Sequence, residues 1–181
     1  WIGPDTGPIY PISGAGGTAG SGNTAVGARA LWNFLPSISA IGDRITVLGS
    51  ETYQDFGGGD DDVVAIGYQT GYYMRHGFRD VLIGSKAAQA GSATWGTKTQ
   101  DDNVWIGYNV NSDGMDTSQS GAEFLYPGSA VVIGSSAVGN DRTVVIGKSA
   151  ASSSSSGFWN SGTQYTDSIV LGSTAVATAA H

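Results

Sequence analysis

The chain has 181 residues, of which 40% are hydrophobic and only 13% are charged, so an ordered fold is expected despite its 29 glycines. A net charge of −7 with singly scattered Lys and Arg argues against nucleic acid as a partner. The absence of cysteine excludes disulfides and thiolate metal sites, and no apolar run is long enough to insert into a membrane.

Residues 1–22 are predicted to form an extended connector. Pro4, Pro8 and Pro11 are followed by a Gly-rich stretch at 13–22, a composition typical of extended and flexible linkers. These glycines do not indicate a nucleotide site, because neither a preceding strand nor a following helix is predicted. Since the chain opens at Trp1 rather than Met, we expect a fragment or a processed product.

From residue 23 to residue 181 one phrase recurs eight times: two or three apolar residues and then a glycine, which we call the repeat glycine. The repeat glycines are Gly27, Gly49, Gly67, Gly84, Gly107, Gly134, Gly147 and Gly172. In phrases such as Val131-Val132-Ile133, side chains alternate between the two faces of a strand, and both faces are apolar. Such strands are typical of a parallel sheet covered on both sides. The repeat therefore predicts an all-β parallel β-roll or β-solenoid with one short coil per repeat.

Each repeat glycine is predicted to mark a sharp bend, because glycine alone adopts positive φ without steric cost. The third residue after it is small in nearly every repeat, as in Ala30, Thr52 and Ala137. We expect these small residues to form a second short strand packed inside the coil. The intervals between repeat glycines range from 13 residues (Gly134 to Gly147) to 27 (Gly107 to Gly134), so most coils carry inserted loops.

The segment from Val131 to Asn140 resembles the head repeat of trimeric autotransporter adhesins, and residues 81–91 and 169–177 match it as well. The resemblance covers residues 23–180. It implies a left-handed parallel β-roll, a homotrimer of three chains side by side, and attachment to host surfaces. Similar modules occur in bacteriophage fibres. The intervals here are longer than in adhesin heads, so a virion fibre and a bacterial surface adhesin both stay open; either location is extracellular.

Two acidic runs precede predicted strands. Asp60, Asp61 and Asp62 follow three glycines, and clustered oxygen ligands on such a backbone suit Ca²⁺. The alternative is that aspartates mark the turn into each strand and protect sheet edges. The lack of an alternating calcium-loop pattern favours the turn, and no other cofactor is expected.

Aromatic residues are concentrated in the insertions, which hold eleven of the 18: Tyr53, Phe56, Tyr72, Tyr73, Phe78, Trp95, Phe124, Tyr126, Phe158, Trp159 and Tyr165. Rings beside polar side chains suit a sugar-binding surface, whereas rings that fold back would only cover the coil. The insertions after Gly107 and Gly147 are the longest. The candidate ligand-binding residues are Tyr72, Tyr73, Phe124, Tyr126, Phe158, Trp159 and Tyr165.

Catalysis is not expected. The only histidines, His76 and His181, share no motif, and the serines at 152–156 form a low-complexity run rather than a nucleophile turn. We therefore expect a non-enzymatic attachment module that contacts a cell-surface glycan or protein. The alternative is a purely structural shaft of a fibre.

Overall fold

The apolar phrases form the strands. In this computed structural model the described residues are 2–3, 20–32, 42–53, 61–72, 77–89, 100–110, 128–139, 142–151 and 167–177. These ranges contain no helix and hold the following strands: β1 (Thr24–Val26), β2 (Thr46–Leu48), β3 (Val64–Ile66), β4 (Gly77–Phe78), β5 (Val81–Ile83), β6 (Gln100–Asp101), β7 (Val104–Ile106), β8 (Val131–Ile133), β9 (Val144–Ile146) and β10 (Ile169–Leu171). Each of the eight phrases is one three-residue strand.

The eight phrase strands form one parallel sheet. Its order is β1-β2-β3-β5-β7-β8-β9-β10, so every strand pairs with the next phrase along the chain. The register never slips, and first residues face first residues throughout. Parallel neighbours require the chain to return to its starting edge between strands, so each phrase begins a new coil. The all-β prediction is confirmed, and the parallel sheet is that of a β-solenoid or β-roll.

The middle residue of each phrase strand points into the coil. Leu82 and Val132 are completely buried, and Trp105 is 1% exposed. The third residue after the repeat glycine is also inside, as predicted: Ala30, Thr52 and Ala137 are fully buried. These residues themselves lie at the end of turns rather than in the predicted second strand, and the residue just before them has positive φ, which interrupts an extended conformation. In the last three coils the following residue (Val138, Ala151 or Val176) forms an isolated parallel bridge with the neighbouring coil.

The bend predicted at the repeat glycines is confirmed, and the structure shows two reasons why glycine is required there. Their φ angles lie between 122° and 147°, a region that only glycine adopts readily. In addition, a Cβ placed on Gly84 would overlap the carbonyl oxygen of Gly107, and one on Gly134 would overlap that of Gly147. Repeat glycines of successive coils are therefore stacked backbone against backbone.

Hydrogen bonds between coils continue through the turns. Besides the repeat glycine, two positions recur with positive φ in every coil: the second residue before the strand, such as Arg44 (58°), and the second after the repeat glycine, such as Lys86 (60°). In three coils a non-glycine residue at the fourth position after the repeat glycine has positive φ as well, as in Tyr53 (52°). The Arg44 N–H donates to Ser21 O and the Lys86 N–H donates to Tyr68 O, both at 2.8 Å. Left-handed backbone costs roughly 1–3 kcal/mol per residue, and these bonds offset part of that cost.

Two pieces of the predicted connector at 1–22 belong to the stack. Ile2 pairs with Val26 at the free edge of β1, where its N–H donates to Ala25 O at 3.0 Å and its carbonyl accepts from Gly27 N at 2.8 Å. Ser21 and Gly22 stack on the coil that contains Arg44. Residues 4–19 of this stretch lie outside the described residues.

Candidate functional site

The outer sheet face consists of the first and third residues of the eight phrase strands. These side chains point away from the coil interior, and in the central strands β3, β5, β7 and β8 they are half-buried. Toward the ends they are more exposed: Leu48 is 48% exposed, Ile169 72% and Leu171 63%. Apart from Thr24 and Thr46 the whole face is Val, Ile or Leu. The stack thus presents a continuous apolar strip to its surroundings.

A row of opposite charges runs beside the strands, at the second residue before six of the eight phrase strands. Within the described coils, Arg and Asp pair between neighbours: Arg44 with Asp62, Arg79 with Asp102, and Arg142 with Asp167. Each arginine uses Nε and one terminal nitrogen on the two carboxylate oxygens. This two-point geometry fixes how one coil sits on the next. The pairs are about half exposed, so each contributes little to stability.

The row lowers the pKa of its carboxyl groups. Hydrogen bonds from Arg44 hold the pKa of Asp62 below its ordinary value, and those from Arg79 do the same for Asp102. The pKa of Asp43 is lowered mainly because it accepts the backbone N–H of Ser21. The pKa of Asp101 is raised by partial burial and acts in the opposite direction. At neutral pH these carboxylates belong to the scaffold, where they bind arginines and backbone amides.

Polar side chains just inside the coil cap the backbone of the following coil. Asn23 Oδ1 accepts from Ile45 N at 2.8 Å, Asp80 Oδ1 accepts from Asn103 N at 2.9 Å, and Asn103 Oδ1 accepts from Ala130 N at 3.0 Å. Asp80 and Asn103 are completely buried. Their position directly before the strand gives them a structural role, because a buried amide must find an acceptor.

Exposed rings occur immediately after two repeat glycines. Tyr68 follows Gly67 and is 47% exposed, and Tyr108 follows Gly107 and is 54% exposed. Sequence reasoning missed both of them, because it looked for aromatic ligands only in the insertions. The available signal was their position: the residue after a repeat glycine is Ala, Ser or Lys in the other six repeats.

Most of the predicted ligand-binding residues lie outside the described residues: Tyr73, Phe124, Tyr126, Phe158, Trp159 and Tyr165. Their assignment stays a prediction. Tyr72 is described, and it is half-buried at the end of the turn that follows β3. Tyr53 and Phe78, also counted among the inserted aromatics, belong to the coils: Tyr53 is fully buried and Phe78 is in β4.

The predicted calcium ligands are partly described. Asp60 lies outside the described residues. Asp61 Oδ1 accepts the backbone N–H of Asp43 at 2.6 Å, and both oxygens of Asp62 accept from Arg44. These contacts are the ones expected for strand-entry turns. Among the described residues, no three Asp, Glu, His or Cys side chains come together closely enough to hold a metal ion.

Comparisons with protein-family models, with curated proteins and with solved structures found no match. The part of the chain that the structure describes contains no long apolar helix of the kind that crosses a membrane.

Proposed function

We propose that this chain is the β-roll segment of a homotrimeric fibre and that it attaches the fibre to a cell surface without catalysing a reaction. The observation that carries the proposal is the outer sheet face, which is apolar along the stack, half-buried in the central strands and exposed toward the ends. A contiguous apolar strip of a few hundred Å² is about as large as the largest patch on a typical monomer, and patches of that size are often interaction sites. An identical chain is the simplest cover, because it brings a strip of the same length and coil spacing.

The size of the strip indicates what the interface has to include. Eight strands at about 4.8 Å spacing are roughly 34 Å long, and three residues are about 10 Å wide, giving a flat area of about 340 Å². A stable interface buries about 800 Å² on each partner. The strands therefore supply less than half of the area, and contacts from the turns and the inserted loops have to supply the remainder. Three chains around one axis give each chain two neighbours for these contacts.

Assembly is tested by analytical ultracentrifugation. We expect the mass of three chains at micromolar concentration, and a folded monomer or a dimer would contradict the proposal. Ile133→Asp places a charge in the middle of the outer sheet face and is expected to give monomers, because burying an unpaired charge is costly. Ser149→Asp is the control: it adds the same charge at an exposed turn residue outside the outer sheet face and should weaken assembly much less than Ile133→Asp.

Attachment is tested on intact cells and on glycan arrays. A trimer presents three copies of a weak site, which raises apparent affinity by about 10²–10⁴ over a single site. We expect binding by the trimer, and Trp159→Ala is predicted to weaken it with the trimer intact. Unchanged binding together with a lower melting temperature would assign Trp159 to packing.

A structural shaft is the second candidate. The regular stacking of coils favours it, because hydrogen bonds link every described coil to the next from the Ile2 pair to β10. A shaft only determines the length of the fibre and needs no ligand. A trimer that binds neither cells nor glycans would favour this candidate, and sequence on either side of the segment would separate a virion fibre from a bacterial adhesin.

A further inference from the structure

Tyr68 and Tyr108 lie on one row of the stack, which we call the tyrosine row. Tyr68 O accepts from Lys86 N at 2.8 Å, and Ser85 O accepts from Asn109 N at 3.0 Å. The residues after successive repeat glycines, Tyr68, Ser85 and Tyr108, are therefore stacked one coil apart. Two coil spacings of about 4.8 Å place the tyrosine backbones roughly 9–10 Å from each other, with the smaller serine between them.

The fold does not require aromatic side chains at these positions. In the other six coils the same row holds Ala28, Ser50, Ser85, Ser135, Lys148 and Ser173. Tyr68 and Tyr108 leave about half of their surface in solvent, so burial does not explain them either. Large exposed rings at positions that accept Ala or Ser indicate a contact with something outside the chain.

The polar groups beside the two rings specify the chemistry of that contact. Ser85 supplies a half-buried hydroxyl between the rings. Each of the four described arginines forms an ion pair with a carboxylate, whereas Lys86, next to Ser85, has no carboxylate partner among the described residues. A ligand for this surface needs apolar ring faces for the tyrosines, hydroxyls for Ser85 and an anionic group for the ammonium of Lys86.

We propose that the tyrosine row binds an acidic saccharide, a chain of pyranose rings that carry carboxylates, across Tyr68, Ser85 and Tyr108. Sugar rings have apolar faces that stack on the tyrosines, and their equatorial hydroxyls reach the polar groups between them. The spacing of the tyrosines suits one or two sugar units that contact both rings. This inference deepens the attachment function proposed above and rests on it for its biological meaning, but the site needs none of the inserted aromatic residues.

The test is isothermal titration calorimetry of the full chain with a hexamer of galacturonic acid and with a neutral hexasaccharide. We expect the acidic hexamer to bind more tightly. Tyr68→Ala and Tyr108→Ala should each weaken its binding about tenfold or more, as loss of an aromatic anchor does. Tyr68→Phe should bind nearly as the unmodified chain, because it keeps the ring.

Lys86→Gln should weaken binding of the acidic hexamer about two- to fivefold at low salt and remove its advantage over the neutral one. Lys148→Gln is the comparison variant: Lys148 is an exposed lysine on the same row, two coils beyond Tyr108, whereas Lys86 is half-buried and adjacent to Ser85. It should weaken binding less than Lys86→Gln.

Three calorimetric or assembly outcomes would overturn the inference: no binding of the acidic hexamer, equal binding by the alanine variants, or alanine variants that dissociate the oligomer at unchanged affinity. The last would assign the rings to contacts between copies. Cell attachment that survives both alanine substitutions would also refute the tyrosine row while leaving the attachment function standing. A trimer that binds the hexamer through its tyrosines but does not bind cells would support the tyrosine row and refute the attachment function.

Discussion

The stacked repeat glycines lead to a prediction that compares two adjacent coils. Gly147→Ala adds a Cβ that overlaps the carbonyl oxygen of Gly172 and meets Ser173 N at 3.2 Å. Gly172→Ala adds the same atom to a similar backbone, with φ of 122° against 145°, but its nearest neighbour is Ala175 Cβ at 3.8 Å. Both variants suffer backbone strain, whereas only Gly147→Ala suffers the steric overlap.

The two contributions have separate magnitudes. Strain at a glycine-only φ costs about 1–3 kcal/mol, and forcing an atom into a packed region costs about 1–3 kcal/mol more. We expect Gly172→Ala to lower the free energy of unfolding by about 1–3 kcal/mol and Gly147→Ala by about 2–6 kcal/mol.

Thermal unfolding followed by far-UV circular dichroism measures the difference. In a domain of this size, 1 kcal/mol shifts Tm by about 2–4 °C, so Gly147→Ala should melt about 2–12 °C below Gly172→Ala. Denaturant titration gives the same comparison as a free energy. Equal destabilisation by the two substitutions would refute the reasoning, because strain alone would then account for the glycines.

Acidification is expected to destabilise the stack, because arginines lower the pKa values of Asp62 and Asp102 in the folded chain. The contribution of these carboxylates to the free energy of unfolding is complete above their ordinary pKa of 3.8. It disappears as the pH falls through the lowered values. Denaturant titrations between pH 6 and pH 2 check this, and Asp102→Asn should flatten the response; a profile that stays level in the unmodified chain would contradict it. Asn103→Ala leaves the buried Ala130 N–H without its acceptor and should lower the free energy of unfolding by about 1–3 kcal/mol in the same titration at neutral pH. An unchanged free energy of unfolding would contradict this role for Asn103.

The strands were predictable from the sequence because the phrase combines two independent signals, an apolar triplet and a glycine. What the sequence left open was which strand face fills the coil. Both faces of Val104-Trp105-Ile106 are apolar, and the structure places the bulky Trp105 inside, between Leu82 and Val132 of the neighbouring strands. Residue type alone does not decide this, because the choice depends on the turns on either side of the strand.

Tyr53 shows why aromatic residues were hard to assign. Its position beyond the repeat phrase suggested an insertion, yet its ring is completely buried. The space exists because Gly71, one coil further on, lacks a side chain: a Cβ there would lie 2.6 Å from Tyr53 Cδ2. The two residues are 18 positions apart in an irregular repeat, so only the register of the coils brings them together.

The Arg–Asp row was unpredictable for the same reason. Arg79 and Asp102 are 23 residues apart, whereas Arg44 and Asp62 are 18 apart. No fixed spacing connects such pairs. They become neighbours only when each residue is counted from its own strand, where all of them occupy the second position before it.

Counting positions from each strand also explains how the sheet keeps its register although successive repeat glycines are 13 to 27 residues apart. From two residues before the strand to three after the repeat glycine, every coil has the same length and is bonded to the next. All variation in length is therefore confined to the return of the chain from one turn to the following strand. Additions there do not disturb the outer sheet face, which keeps its spacing for assembly. The proposed trimer uses this face together with the turns and the inserted loops, so Ile133→Asp in the face and Trp159→Ala in an insertion are the substitutions that test assembly and attachment separately within one chain.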